Sequence, residues 1–209
     1  MRDERTGHPR SLHAAKHSRF PDFLNGLVEE VAPKLLGCIL ERVIDGHVLA
    51  ARIVEVEAYD QDDAASHAYR GKTARNAVMF GECGHLYVYF TYGMHYCCNV
   101  VCGPAGYGSG ILIRAAESLE GREIMEAHRG VHGVNATNGP AKLCQALRIG
   151  PAFNGHDLRT APLRLLHGSL RPGETIGQTR RIGISKAVEK LRRYHIAGNP
   201  CVSKTKTAG

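Results

Sequence analysis

Hydrophobic and polar positions along this chain follow two periods, and the change between them divides it. Leu24, Leu27 and Val31 recur at helical spacing and predict a helix over 22–36, with a break near Pro33. After that the period drops to two. Residues 38–44 and 48–59 flank Asp45 and Gly46, a dipeptide that favours a tight hairpin turn. Residues 60–77 are polar and contain glycine, which predicts a loop. The aromatic run 86–102 is interrupted at Gly93 and predicts a second hairpin, followed by a glycine-rich turn at 103–110 and a strand over 111–115. Helices are predicted at 118–128, capped by Ser118, and at 140–147, opened by Pro140. Short strands follow near 163–166, 181–184 and 195–197. Hairpins rather than strand–helix alternation imply an α+β single domain: a curved, mostly antiparallel sheet with packed helices. Residues 1–20 lack apolar periodicity and are expected to be a disordered basic tail before a domain over 21–204 and a short tail at 205–209.

Composition and charge narrow this picture. The chain has 209 residues, 43% hydrophobic and 22% charged, which excludes a fibrous or wholly disordered polymer. No uncharged apolar run reaches the ~18 residues of a membrane span, and Arg2, Asp3, Glu4 and Arg5 do not open a secretory signal. Seven cysteines, an odd number, argue against a disulfide framework and for a reduced, intracellular setting. His85, His95, Cys97, Cys98 and Cys102 lie close together, but no Cys-x-x-Cys pair exists, so no metal is expected. The formal charge of +7 is uneven: residues 178–209 hold eight basic and one acidic side chain, whereas 21–177 are net −3. Arg180, Arg181, Arg192 and Arg193 in that basic run read either as a solubilising surface or as contacts to the phosphates of a nucleic acid.

Two segments could carry chemistry. In the strand around Val54–Val56, period two sends Glu55, Glu57 and Tyr59 to one face and Val54, Val56 and Ala58 to the other. Two neighbouring carboxylates repel, so the default reading is a solvated pair; the alternative is a desolvated carboxylate working as a general base. In the second segment, five of the 13 aromatic residues fall between Tyr87 and Tyr96. A cross-strand aromatic ladder explains Tyr87 and Tyr96, but not Tyr92 at a hairpin tip, which suits a wedge between bases.

Taken together, these segments resemble the alkyladenine (3-methyladenine) DNA glycosylase family. The resemblance rests on the strand ending in Glu57, Ala58 and Tyr59, then Ser66 through Gly71 with Arg75 and Asn76. It continues with Gly84 through Asn99, Leu112 through Ala115, Gly139 through Leu147, Arg181 through Ile184, and Gly198 through Pro200. It implies an enzyme that flips a damaged purine out of duplex DNA and hydrolyses its N-glycosidic bond, leaving an abasic site. It implies Glu57 as general base and Arg114 as positioner of the attacking water. Tyr59, His67 and Tyr89 would line the base pocket, and Asn99 would reject the amino group of normal guanine. Tyr92, on a protruding hairpin, would fill the gap left by the flipped nucleotide. Lys142, Arg180 and Arg181 are the candidates for contacts to the DNA backbone. Implied substrates are 3-methyladenine, then 7-methylguanine, ethenoadenine and hypoxanthine. No cofactor, membrane or obligate protein partner is implied, and the enzyme would act as a monomer in a bacterial cytoplasm or nucleoid. The residues alone leave two other classes open: a non-catalytic nucleic-acid-binding module, and a hydrolase of free nucleosides or glycosides.

Overall fold

One long strand organises the molecule. The computed structural model describes residues 19–91 and 93–204. After helix α1 (Val28–Lys34) the chain enters β1 (Ile39–Ile44), turns at Asp45 and Gly46, and returns as β2 (His47–Asp60). Both turn residues have positive φ, 50° and 79°, which matches the twist of a tight hairpin. Strand β2 is 14 residues long and serves three antiparallel partners: β1, then β5 (Ser109–Glu120) and β9 (Arg193–Ile196).

The rest of the sheet grows outward from it. The hairpin β3 (His85–Thr91) and β4 (His95–Val101) joins through β4 to β5. Short strands β6 (His156–Asp157) and β7 (Leu163–Leu166) sit at the two ends of the order β6-β3-β4-β5-β2-β1-β7. A backbone bond from the Leu165 N–H to the Leu158 carbonyl draws those ends together, so the sheet is curved and nearly closed. Among the described residues, strand β8 (Ile176–Thr179) pairs only with β9. Helix α2 (Arg122–Arg129) and helix α3 (Pro140–Ala146) complete an α+β domain. No helix among the described residues is long and apolar enough to cross a membrane.

Alternation gives the sheet two buried faces of different character. Val54, Val56, Ala58, Ile111 and Ile113 belong to the main core with Val31, Leu35, Leu143 and Leu147 from the helical side. The opposite residues of the same strands carry the polar and aromatic groups described below.

Several boundaries differ from the sequence pattern. The first helix starts only at Val28; Leu24 and Val31 are buried, but Leu27 is exposed, because Gly26 breaks the run before a common stripe can form. Ser118 caps no helix. It pairs with Ala51 in β5, which runs on to Glu120 and ends at Gly121. Gly121 has φ +68°, and a Cβ there would meet the Val48 carbonyl at 2.7 Å, so the helix begins one residue later. Residues 181–184 form no strand; Gly183 turns the chain with φ +77°. At the N-terminal end, residues 1–18 lie outside the described residues, as do 205–209. Arg19 and Phe20, expected in the tail, are docked: the Arg19 carbonyl accepts from the His167 N–H at 2.8 Å, and Arg159 covers the Phe20 ring at 4.5 Å.

Ile113 sits fully buried in the main core, on the strand that also carries Arg114. Ile113→Ala is expected to lower the free energy of unfolding by about 2–5 kcal/mol in urea titration; a loss below ~1 kcal/mol would mean that this face is not closely packed.

Candidate active site

Strand register assembles the site. Glu57 pairs with Leu112, Leu112 with Asn99, and Asn99 with Tyr87, a single row across β2, β5, β4 and β3. Residues two positions along these strands share that face: Glu55 and Tyr59, Arg114, Cys97, and Tyr89. The sheet thereby floors a cavity of about 370 Å³. Glu57, Tyr59, His67, Tyr89, Asn99 and Arg114, six residues singled out from the sequence, all line it.

The two carboxylates are not solvated. Glu55 and Glu57 are both 0% exposed. What makes this possible is Arg114, whose Nε lies 2.8 Å from Glu55 and whose Nη1 lies 3.2 Å from Glu57. The β2–β5 pairing is irregular at this point, with Glu55 opposite Ala115, and resumes at Val56 and Ile113. Burial disfavours the Arg114 charge, but Glu57 and Glu55 outweigh it and raise its pKa above the ordinary arginine value. Glu55 is saturated with donors: Arg114, Arg193 Nε at 2.7 Å, and the Ser203 N–H and hydroxyl at 2.6 and 2.8 Å. Burial works against its ionisation, but Arg114, Arg193 and Ser203 prevail and hold its pKa below the ordinary glutamate value.

Glu57 is held differently. Its Oε2 accepts from the Tyr59 hydroxyl at 2.8 Å, and its Oε1 accepts from the Ile182 N–H at 2.7 Å. The Tyr59 pKa is pushed far up, by burial first and by Glu57 next, so the phenol keeps its proton and donates it. Glu57 therefore faces the cavity as a fixed carboxylate, whereas Glu55 is enclosed behind it.

Aromatic groups form the wall. His67 meets Tyr89 edge-on with ring centroids 4.5 Å apart, and Tyr89 stacks against Tyr87 at 5.7 Å. His67 Nδ1 lies 3.0 Å from the Tyr87 hydroxyl. Burial first, and the Arg75 charge second, lower the His67 pKa, so this ring is neutral at pH 7. Asn76, buried, carries the loop that presents His67: its Nδ2 donates to the His67 and Gly71 carbonyls at 2.8 and 3.0 Å. Asn99 is buried with its amide 3.4 Å from the Tyr87 carbonyl.

The basic candidates divide sharply. Arg181 is fully buried and bonded twice to Asp63; it also donates to the Ala58 carbonyl at 3.0 Å and covers the Tyr59 ring at 4.6 Å. It cannot reach a phosphate in this arrangement, which corrects the expectation drawn from the basic run. Instead it locks the segment whose next residue, Ile182, donates to Glu57. Arg192 pairs with Glu29, Asp60 and Asp63, and Arg193 with Glu55, so both are also internal. Arg180 is exposed, and no carboxylate pairs with it among the described residues. Lys142 is half-buried on α3, its Nζ 2.8 Å from Asn138 Oδ1. Tyr92 lies outside the described residues.

Sequence reasoning missed Tyr87, Cys97, Met79 and the 182–184 segment as cavity lining. Tyr87 and Cys97 follow from period two once Tyr89 and Asn99 are placed. Ile182 acts through its backbone and carried no side-chain signal.

Chemically, an aromatic-walled cavity with a carboxylate held at its edge can take a flat, electron-poor ring. Comparison with known proteins agrees with that class. The family described as "Methylpurine-DNA glycosylase (MPG)" matches residues 22–200. A protein of Carboxydothermus hydrogenoformans is 49% identical over 176 residues, covering 83% of this chain and 92% of its own. One from Burkholderia cenocepacia is 48% identical over 186 residues, covering 87% and 88%. One from Methanoculleus marisnigri is 46% identical over 181 residues, covering 83% and 92%. Each of the three bears the name "Putative 3-methyladenine DNA glycosylase". The chain belongs to the methylpurine-DNA glycosylase family, whose members are base-excision-repair enzymes.

The buried Arg181–Asp63 pair also makes stability depend on pH. Burial opposes ionisation of Asp63, but Arg181 and the Ala65 N–H outweigh it and lower its pKa. A carboxylate with a depressed folded pKa stabilises fully above its unfolded value, near ~4, and loses that contribution as pH falls through the folded value. Asp63→Asn should cost about 3–5 kcal/mol in urea unfolding at pH 7, since it leaves Arg181 buried beside a neutral amide. It should also flatten the loss of stability below pH ~4. Unchanged stability at pH 7 would contradict this role.

Proposed function

We propose that this chain is a monofunctional DNA glycosylase that hydrolyses the N-glycosidic bond of alkylated purines flipped out of a duplex. 3-Methyladenine is the leading substrate; 7-methylguanine, ethenoadenine and hypoxanthine are further ones. The observation that carries the reading is the fully buried Glu57, held by Arg114, Tyr59 and the Ile182 N–H at the edge of an aromatic-walled cavity. Glu55 and Asp63 are as deeply buried but are enclosed by donors; Glu57 borders the cavity, a placement that a nucleic-acid-binding module without catalysis does not need.

In the proposed reaction Glu57 takes a proton from water while the water oxygen forms a bond to C1′. The C1′–N bond breaks, and its electron pair leaves with the base. Alkylation at N3 or N7 makes the base cationic, so departure discharges it without an acid; the neutral ethenoadenine and the deaminated base hypoxanthine leave as anions that take up a proton from water. The carboxylate also stabilises the positive charge that grows on the sugar. Arg114 holds Glu57 in place and helps to position the water. Tyr59 and Tyr89 attract a cationic purine through their π faces, and neutral His67 adds no repelling charge. The amide of Asn99 excludes the N2 amino group of guanine. Tyr92 fills the gap in the duplex. No lysine nucleophile takes part, and the product is an abasic site. The substrate is double-stranded DNA, met by a monomeric enzyme without an obligate protein partner or cofactor, in the bacterial cytoplasm or nucleoid.

Base release is the test. The intact protein should liberate 3-methyladenine from a methylated duplex, and borohydride should trap no covalent protein–DNA complex. Turnover of free nucleosides with none of duplex DNA would overturn the assignment, and a trapped imine would overturn the one-step mechanism. Asn99→Ala should raise the release of unmodified guanine by roughly tenfold or more, the scale of a ~1.4 kcal/mol loss of discrimination. Unchanged guanine release would remove Asn99 from that role.

A further inference from the structure

Tyr59 lies between two charges of opposite sign. Its hydroxyl donates to Glu57, and the guanidinium of Arg181 covers its ring at 4.6 Å. Arg42 over Phe153 and Arg159 over Phe20 make the same kind of contact, at 4.6 and 4.5 Å. Among the described residues only Arg181 makes it at a ring of the cavity. Tyr59 lines that cavity and Arg181 does not, so the guanidinium sits on the rear of the ring. Tyr89, the other tyrosine offered to a cationic base, has Tyr87 and neutral His67 as its ring neighbours instead.

The cation is held in place behind that ring. Besides its two bonds to Asp63, Arg181 donates to the Ala58 carbonyl at 3.0 Å and to the Ala187 carbonyl at 3.3 Å. Its charge is only partly answered. Asp63 also accepts from Arg192 at 3.2 Å, and the buried Arg181 Nε has no hydrogen-bond partner among the described residues. A base stacked on the open face of Tyr59 would lie ~3.5–4 Å in front of the ring, which leaves roughly 8 Å between it and the guanidinium. With the ring between them, the two are not separated by water, and their charges still interact. A cationic purine is attracted by the ring and repelled by the arginine behind it, whereas an uncharged purine meets the ring alone. Burial first and Glu57 next push the Tyr59 pKa up, and Arg181 opposes them, as expected of a cation that draws on the ring.

We propose that Arg181 is a specificity-determining residue that acts through Tyr59: its fixed charge behind the ring curbs the preference of the cavity for cationic purines and so admits uncharged damaged ones. This rests on the glycosylase reading. Asp63 belongs to the same device with the opposite sign, because it offsets the Arg181 charge. Removing the arginine charge should therefore favour cationic bases, and removing the aspartate charge should disfavour them. A role in folding alone, or in holding the Ile182 N–H against Glu57, predicts the same direction for both changes.

The test is a ratio of single-turnover release rates at saturating enzyme, cationic 7-methylguanine over uncharged ethenoadenine, each in an otherwise identical duplex. Both rates are taken on one preparation, so a loss of folded protein cancels. Arg181→Gln should raise the ratio by roughly threefold or more, the scale of a strengthened cation–π contact, and Asp63→Asn should lower it by a similar factor. In Arg181→Gln, Asp63 keeps its pairing with Arg192, which supports the fold. Arg181→Lys, which keeps the charge, should stay within about twofold of the wild-type ratio and provides the comparison if Asp63→Asn does not fold. An unchanged ratio in Arg181→Gln overturns the proposal. So does a shift in the same direction in Arg181→Gln and in Asp63→Asn, or a lysine variant that behaves like the glutamine one. Wild-type release of one of the two bases without the other also overturns it. Failure of the wild-type protein to release any damaged base from a duplex that it binds would instead overturn the glycosylase reading.

Discussion

The arrangement depends on one guanidinium between two carboxylates. Glu55 and Glu57 are neighbours on one strand face and both are withdrawn from water, which their mutual repulsion would forbid if they were alone. Arg114 bridges them, and the two acids then take different roles through their other partners. Glu55 is surrounded by four donors and tied to Arg193 and Ser203, so it holds β9 and the C-terminal segment against β2. Glu57 keeps a side toward the cavity. Specialisation of two identical side chains follows from their surroundings rather than from their own chemistry.

The second constraint is the pleat. One register row joins Glu57, Leu112, Asn99 and Tyr87 across four strands, so the floor of the cavity is specified wherever strand pairing is specified. A slip by one residue would turn all of these groups into the apolar core. Loops supply the remainder. Asn76 fixes the loop of His67, and Arg181 fixes the segment of Ile182 through Asp63. Interior ion pairs thus serve to position loops over a rigid sheet.

Much of this is legible in the chain. Period two exposes the β2 strand, the common face of Glu57 and Tyr59, and the two hairpins; Asp45 and Gly46 mark the first turn. The aromatic crowd between Tyr87 and Tyr96 marks the wall, and the family resemblance singled out Glu57 over Glu55. What stays hidden depends on distant partners. Nothing near Glu55 or Glu57 in the chain announces burial, because Arg114 lies on another strand. Arg181, Arg192 and Arg193 look like a solvated basic run, because a sequence counts cations without showing that Asp60, Asp63 and Glu29 meet them. Residues 118–120 have helical character on their own, and only pairing with Ala50 and Ala51 holds them in a strand. The net charge of +7 is therefore a poor guide to the surface that meets DNA.

In the proposed mechanism Glu57 acts on the substrate while Glu55 holds the structure. The most direct measurement compares Glu57→Gln with Glu55→Gln in single-turnover release of 3-methyladenine at saturating enzyme, beside duplex binding and thermal unfolding. Glu57→Gln should slow release by about 10²–10⁴-fold, the range of a lost general base, with binding and folding kept. Glu55→Gln should lower stability and, where folded, retain release within about tenfold. Equal losses from both folded variants, or release that survives Glu57→Gln, would contradict the account.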